Sequence, residues 1–225
     1  MSQIVNIISG GRLGDQSFFQ ERISGMRNCL IICCDGGARH IQYLGIKPDV
    51  IIGDMDSIDP ALLAGYSDSG IKIIKHPANK DFTDTELALD YALGLKPEAI
   101  YIWGALGGRI DHTLANVFLL YKGQEEGIRT YLIDEYSEAF VLEKETSFIN
   151  DAGKTVSLLA LSSAVTGINL TGFLYPLKDE TMTMGESRGI SNIINENCAS
   201  ISVKNGKLLV IKYWQKDNFP EADNL

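Results

Sequence analysis

The sequence predicts a two-part fold, an α/β N-terminal domain with a mostly parallel sheet followed by an all-β sandwich C-terminal domain. Three observations predict it. Up to about residue 134 short apolar runs alternate with helix-length segments, a strand, loop and helix unit repeated about five times. Those runs stop abruptly at Gly and Asp, as strands buried on both faces do when they meet a turn. Beyond them helical periodicity vanishes, and short β-rich runs follow, separated by Gly, Asn, Ser and Asp. The boundary is expected near Glu143, giving domains 1–143 and 144–225.

The chain opens on an apolar strand, Ile4-Val5-Asn6-Ile7-Ile8. The loop Ser9-Gly10-Gly11-Arg12-Leu13-Gly14 follows. Backbone N–H groups at Gly10 and Gly11 can form an anion-binding nest, although an ordinary strand-to-helix turn accounts for the glycines as well. Residues 16–26 read as a helix with an apolar stripe of Phe18, Phe19, Ile23 and Met26. The next strand, Cys29-Leu30-Ile31-Ile32-Cys33-Cys34, ends in Asp35-Gly36-Gly37, where two glycines allow close approach of a ligand to the backbone. A short helix, 38–44, and a Lys47-Pro48-Asp49 turn lead to Val50-Ile51-Ile52.

That strand breaks at Gly53-Asp54-Met55-Asp56-Ser57, with two carboxylates one residue apart. Acids held close repel unless a cation sits between them. Mg²⁺, which takes one or two carboxylates together with phosphate oxygens, fits that need. The competing reading is that Asp56-Ser57 opens a helix capped at Asp59-Pro60. In open α/β sheets, ligands bind beyond the carboxyl ends of the strands.

A strand at 71–74 is ended by His76-Pro77. Thr83-x-x-Glu86 is a capping box, and Leu87, Tyr91 and Leu95 continue its helix at a spacing of four. The helix dipole alone favours Asp84 in the first turn, but Asp81 and Glu86 are more acid than a cap requires. Strand 99–103 runs into Gly104-Ala105-Leu106-Gly107-Gly108-Arg109-Ile110-Asp111-His112. Here Gly107 and Gly108, the fork of Arg109 and a helix start capped by Asp111 combine as a phosphate site. The helix beyond carries Leu114, Val117, Phe118 and Tyr121 at helical spacing. The β-rich runs are 139–142, 155–161, 165–170, 200–203 and 207–213. The tail from Lys216 is polar and expected to fray.

A formal charge of −9 over 225 residues argues against a protein that coats nucleic acid, which needs a basic face. No apolar run is long enough to span a bilayer, and the start Met1-Ser2-Gln3-Ile4 lacks the pattern of a secretion leader, so neither membrane nor export is expected. The four cysteines read as structural thiols of a reducing compartment, the cytoplasm. His40, His76 and His112 are scattered and read as structural.

Taken in order, Asp35-Gly36-Gly37, Gly53-Asp54-Met55-Asp56-Ser57, Asp81-Phe82-Thr83-Asp84 and Gly107-Gly108-Arg109-Ile110-Asp111-His112 resemble thiamine pyrophosphokinase. In the second half Gly172-Phe173-Leu174-Tyr175-Pro176-Leu177 and Ser187-Arg188-Gly189-Ile190-Ser191-Asn192 resemble that family's thiamine-site region, and Gly206-Lys207-Leu208-Leu209-Val210-Ile211 its closing strand. The resemblance implies transfer of the pyrophosphoryl group of ATP to the hydroxyl of thiamine with Mg²⁺. It also implies a homodimer whose active site lies between the α/β domain of one subunit and the sandwich of the other.

Carried onto these positions, it makes Asp54, Asp56 and Asp84 metal ligands, with Asp54, Asp84 and Arg109 catalytic. Gly10, Gly11, Asp35, Gly36, Gly37, Gly107, Gly108 and Asp111 would surround the nucleotide. Asp81, Thr83, Ser187, Ser191 and Asn192 would face thiamine. The family's usual acid after Ser191-Asn192 is replaced by Ile193-Ile194. Three rival readings are a pyrophosphokinase for a pterin-like alcohol, a non-catalytic sensor of nucleotide or thiamine, and a plain structural protein, which would leave the loop acids unexplained.

Overall fold

A strand with no polar face needs cover on both sides. Val5, Ile7, Ile8, Ile32, Cys33, Val50, Ile51 and Ile52 are all buried accordingly. In the computed structural model, which describes residues 3–77 and 82–214, the chain divides into two units after Glu135. The first contains β1 (Ile4–Ile8), α1 (Gln16–Ser24), β2 (Cys29–Cys34), α2 (Ala38–Tyr43), β3 (Val50–Gly53), α3 (Pro60–Asp68), β4 (Lys72–Lys75), α4 (Asp84–Gly94), β5 (Ala99–Trp103), α5 (Ile110–Glu125) and β6 (Arg129–Ile133).

Its strands lie in the order β6-β5-β1-β2-β3-β4. Every pairing is parallel. The chain winds outward from β1 to β4, then returns to lay β5 on the other side of β1. The order therefore reverses between β1 and β5, and the crevice beyond that point is where open α/β sheets bind ligands. Ile8 is level with Cys33 on one side and Trp103 on the other, so the loops after β1, β2 and β5 leave the sheet together. The fully buried amide of Asn6 is satisfied: Trp103 Nε1 donates to Asn6 Oδ1 at 2.9 Å. Phe19 of α1 meets the Trp103 ring edge-on with centroids 4.9 Å apart.

Two helices present a different face to the sheet from the one their large residues predict. Helix α4 buries Thr85, Ala88, Leu89 and Ala92, while Leu95 of the expected stripe is 39% exposed. Helix α5 buries Asn116, Leu119, Leu120 and Gly123. Its predicted stripe points away, with Leu114 52%, Phe118 60% and Tyr121 38% exposed. Close packing explains the choice of face. A Cβ at Gly123 would stand 2.0 Å from Thr130 Oγ1, so only a bare backbone lets α5 lie this near β6.

The second unit begins at Tyr136, ahead of the boundary expected at Glu143. Strand β7 (Ser137–Leu142) belongs with it because β7 pairs with β14 (Leu208–Tyr213), far along the chain. The other strands are β8 (Glu145–Ile149), β9 (Thr155–Ala160), β10 (Ala164–Thr171), β11 (Leu177–Thr183), β12 (Asn192–Ile193) and β13 (Cys198–Ser202). They form two antiparallel layers, β12-β9-β14-β7 and β11-β10-β13-β8. Inward residues of both, among them Val156, Leu158, Val165, Ile168, Ile201 and Val210, share one core. Ile194, which stands in the segment where an acid was expected, is fully buried in it. No helix among the described residues is long and apolar enough to cross a membrane. The expected fraying from Lys216 lies outside the described residues.

Candidate active site

The loops after β1, β2, β3 and β5 and the first turn of α4 enclose a cavity of about 630 Å³ at the switch point. Its floor is acidic. Asp35 ends β2, Asp54 follows β3 and Asp84 opens α4, and their carboxylate oxygens all come within 4.8 Å of one another. Asp84 is placed by its helix start. Thr83 caps α4 by accepting from the Glu86 N–H at 3.2 Å. Thr85, in the same turn, shares a buried 2.7 Å hydrogen bond with Ser9 at the end of β1. The capping box is completed differently from expectation, because the Glu86 carboxylate meets Lys122 Nζ at 3.2 Å.

Among the described residues Asp56 does not join this cluster of carboxylates, and Asp35 does. Met55 has a left-handed backbone with φ 68°, which turns the chain between the two acids. Asp54 Oδ1 accepts from the Asp56 N–H at 3.2 Å, and the exposed Asp56 carboxylate accepts from Ser57 Oγ at 2.8 Å. Asp35 is 3% exposed. Burial and the nearby charge of Asp84 push its carboxyl up to about 6, against the pull of the Ser57 and Gly36 N–H donors.

The glycines of the strand ends mainly let the loops touch. A Cβ at Gly11 would lie 2.4 Å from the Gly104 carbonyl oxygen, and one at Gly10 would lie 3.2 Å from Gly36 Cα. Gly11 N–H donates to Gly104 O at 2.9 Å, so it is not the phosphate donor expected of a nest. Gly37 is turned away from the cavity and packs under the Ile8 carbonyl, 2.3 Å from where a Cβ would stand. Gly10, Gly11, Gly36, Gly107 and Gly108 do line the cavity. Gly107 and Gly108 have φ of 80° and 76°, a consecutive left-handed pair that side chains disfavour.

Arg109, rather than Asp111, is the N-cap of α5. Asp111 lies in the first turn and grips Arg109, with Nε donating at 3.1 Å and Nη2 at 2.5 Å. That fork holds the Asp111 carboxyl down to about 2. Two further guanidiniums line the cavity, at positions the sequence motifs do not mark. Arg12 pairs with Glu135 at 2.6 Å. Arg39, on α2, donates to the Gly10 carbonyl at 2.5 Å. Their neighbour His40 bonds the Gly11 carbonyl at 2.7 Å, and burial lowers its pKa. His112 also lines the cavity. A signal for both arginines exists in the chain: each lies within three residues of a glycine pair at a strand end. Asp81 lies outside the described residues.

The second unit holds its own cavity of about 450 Å³, lined by Leu158, Leu170, Tyr175, Met182, Arg188 and Asn192 among others. Asn192 is buried, and its amide is taken up by backbone. Its Oδ1 accepts from Tyr175 N–H at 3.1 Å and its Nδ2 donates to the Tyr175 carbonyl at 2.8 Å. Ser187 and Ser191 are exposed and do not line this cavity. Ser191 adopts φ 59°, and its N–H donates to Ser157 Oγ at 3.0 Å.

Comparison with known proteins decides the family. Residues 26–132 match the family model "Thiamin pyrophosphokinase, catalytic domain", and residues 142–208 match "Thiamin pyrophosphokinase, vitamin B1 binding domain". The chain is 32% identical over 213 residues to thiamine pyrophosphokinase of Bacillus subtilis (strain 168), covering 92% of this chain and 97% of that protein. The chain belongs to the thiamin pyrophosphokinase family. The crystal structure of thiamine pyrophosphokinase from Bacillus subtilis superposes with a TM-score of 0.84 at 30% identity, over 96% of this chain and all of that one. The structure from Geobacillus thermodenitrificans gives 0.82 at 28% identity, with the same coverage. The thiamin pyrophosphokinase catalytic match runs from the segment before β2 through most of β6 and contains Asp35, Asp54, Asp84 and Arg109. The vitamin B1 binding match contains the residues of the second cavity.

Proposed function

We propose that the chain transfers the pyrophosphoryl group of ATP to the hydroxyl of thiamine, giving thiamine diphosphate and AMP, in the cavity at the switch point. One observation carries the assignment of the site: three carboxylates, Asp35, Asp54 and Asp84, converge beneath a cavity whose walls carry guanidiniums. A triphosphate needs both, cations along its oxygens and acids to hold the metal that accompanies it.

The donor set fits Mg²⁺. All the converging groups are hard carboxylate oxygens, partly desolvated, and a divalent cation relieves the repulsion that pushes Asp35 upward. Asp35, Asp54 and Asp84 would hold it. When bound, Mg²⁺ supplies charge neutralisation on the phosphate oxygens.

The protein's own part is placement. The fixed start of α4 holds Asp84 and Thr83 at one wall. Arg109, at the start of α5, lines the same cavity, and its positive charge stabilises oxygens of the β-phosphoryl group as it is attacked. The thiamine oxygen forms its bond to the β-phosphorus, the bridging α–β P–O bond breaks, and the α-phosphate oxygen leaves with AMP. The hydroxyl proton passes to solvent as the bond forms, and Thr83, at the cap of α4, lines the cavity that the hydroxyl enters.

In the second unit we assign the thiamine rings to the cavity beside Tyr175, whose ring supplies the aromatic surface a flat heterocycle needs. Asn192 serves this site by fixing the Tyr175 backbone. Ser187 and Ser191 lie near enough in sequence to reach a ligand at its rim.

We further infer a homodimer in which the second unit of one copy supplies thiamine contacts to the first unit of the other. The exposed stripe of Ile110, Leu114 and Phe118 supports pairing, because apolar area of that extent gains by being covered. The cytoplasm is the compartment in this reading, supported by four cysteines that stand as thiols rather than disulfides.

The test is incubation with ATP, Mg²⁺ and thiamine, with both products followed by chromatography. Equal amounts of thiamine diphosphate and AMP are expected. ADP with thiamine monophosphate would instead mean single phosphoryl transfer and would overturn the reading. Sedimentation at micromolar concentration tests the dimer, and a mass of one chain would refute it.

A further inference from the structure

The geometry points to Arg39 as the cation that first anchors the nucleotide's phosphates. This rests on the nucleotide reading of the cavity given above. Three guanidiniums line the cavity, and they differ in how they are held. Arg12 faces Glu135 at 2.6 Å, and Arg109 is forked onto Asp111 at 2.5 Å and 3.1 Å. For each, taking up a phosphate means weakening or sharing an existing ion pair. Arg39 has no carboxylate partner among the described residues. Its Nη2 instead donates to the Gly10 carbonyl at 2.5 Å, a neutral acceptor.

That single bond orients the whole group. A guanidinium has five N–H donors in a rigid plane, and fixing one nitrogen sets the direction of the rest. Gly10 is itself fixed, since its backbone packs against Gly36. His40, next along α2, holds the Gly11 carbonyl at 2.7 Å, so helix and loop are tied at two successive peptides. Arg39 is therefore an oriented cation at the cavity wall with its charge uncompensated by a described acid. Asp35 and Arg39 both line the cavity, so a phosphate that enters has this cation as well as the acids beside it. Such a guanidinium binds phosphate in the ground state, before Arg109 releases Asp111.

The consequence is a division of labour that kinetics separates. Arg39 contributes binding that is the same before and during reaction, whereas Arg109 acts as charge develops. Calorimetry with Mg²⁺ and a non-hydrolysable ATP analogue reads the first directly, without turnover. Arg39→Ala is expected to weaken analogue binding about tenfold or more and to flatten its dependence on KCl. The KM for ATP rises in parallel, while kcat and the KM for thiamine stay within about threefold. Arg39→Lys recovers part of the affinity, because the charge returns without the fork. Should Arg39→Ala fail to fold, Arg39→Gln keeps a donor for Gly10 and removes the charge, and its analogue affinity decides the matter. Wild-type affinity and salt dependence in the neutral variants would overturn the proposal. A wild-type protein that binds the analogue through Arg39 yet makes no thiamine diphosphate would strike the reaction and leave the anchor standing.

Discussion

Asn192 closes a two-point hydrogen-bonded ring with the backbone of Tyr175, accepting at 3.1 Å and donating at 2.8 Å. A side chain used at both ends is a structural brace for its neighbour. Asn192→Ala removes both bonds, and with them the one that Asn192 Oδ1 accepts from the Ile193 N–H at 2.9 Å, at a cost of roughly 1–3 kcal/mol. The KM for thiamine should rise several-fold and that for ATP should not. Tyr175→Ala should raise the thiamine KM at least as much with less effect on the melting temperature. Equal loss for both substrates in either variant would argue against the assigned thiamine site.

The acidic floor separates two neighbours in the sequence. Asp54→Asn and Asp84→Asn should each lower turnover by about three powers of ten or more, since each removes a carboxylate from the proposed metal site. Asp56→Asn should stay within about tenfold of wild type, because Asp56 faces Ser57 and solvent. Binding of Mn²⁺, followed by electron paramagnetic resonance, should fail in the first two and persist in the third. Loss of Mn²⁺ in Asp56→Asn would restore Asp56 to the ligand set.

These outcomes bear on what is legible in the chain. Strand ends are plain, because an apolar run that halts at Gly53-Asp54 fits little but a buried strand meeting a turn. The choice between Asp35 and Asp56 is not, because it depends on the left-handed turn at Met55, a residue type with no preference for it. The faces of α4 and α5 are hidden for a related reason. Periodicity finds the large residues, but tight helix–sheet packing selects the small ones, Ala88, Ala92 and Gly123. Strands β8 and β11 are hard to see because Glu145-Thr146-Ser147 and Lys178-Asp179-Glu180 are polar. They are the two edge strands of their layer and have few buried positions. The early domain switch needs the β7–β14 pairing, which joins residues distant in sequence.

Gly11→Ala tests how tightly the loops are joined. The added carbon would stand 2.4 Å from the Gly104 oxygen, so the loop after β1 or the loop after β5 must move. A loss of about 1–3 kcal/mol is expected, read by urea denaturation, together with weaker nucleotide binding. Unchanged stability would mean that the two loops can separate freely.

Stability toward acid should depend on Asp151 in the second unit. Burial alone would raise its carboxyl, but the hydrogen bond from Lys154 and the charge of Lys212 outweigh that and hold it below the ordinary value of 3.8. Lys154 lies at 2.5 Å and Lys212 at 3.2 Å. With the folded value below the unfolded one, the contribution is complete above the ordinary value and is lost as pH falls through the folded one. Asp151→Asn should cost roughly 1.5–3 kcal/mol at pH 7 and should flatten the decline in melting temperature as pH falls below the ordinary carboxylate value. An equally steep acid decline in the variant would show that other carboxylates govern it.

The contacts between bare backbones at Gly10 and Gly36, and at Gly11 and Gly104, also bear on how the pocket adapts. Main-chain atoms already touching leave no slack, so the base of the pocket behaves as masonry that does not yield to its guest. Accommodation on binding therefore falls to the ion-paired side chains Arg12 and Arg109, which trade a carboxylate for the guest, while Arg39 and the foundation keep their places.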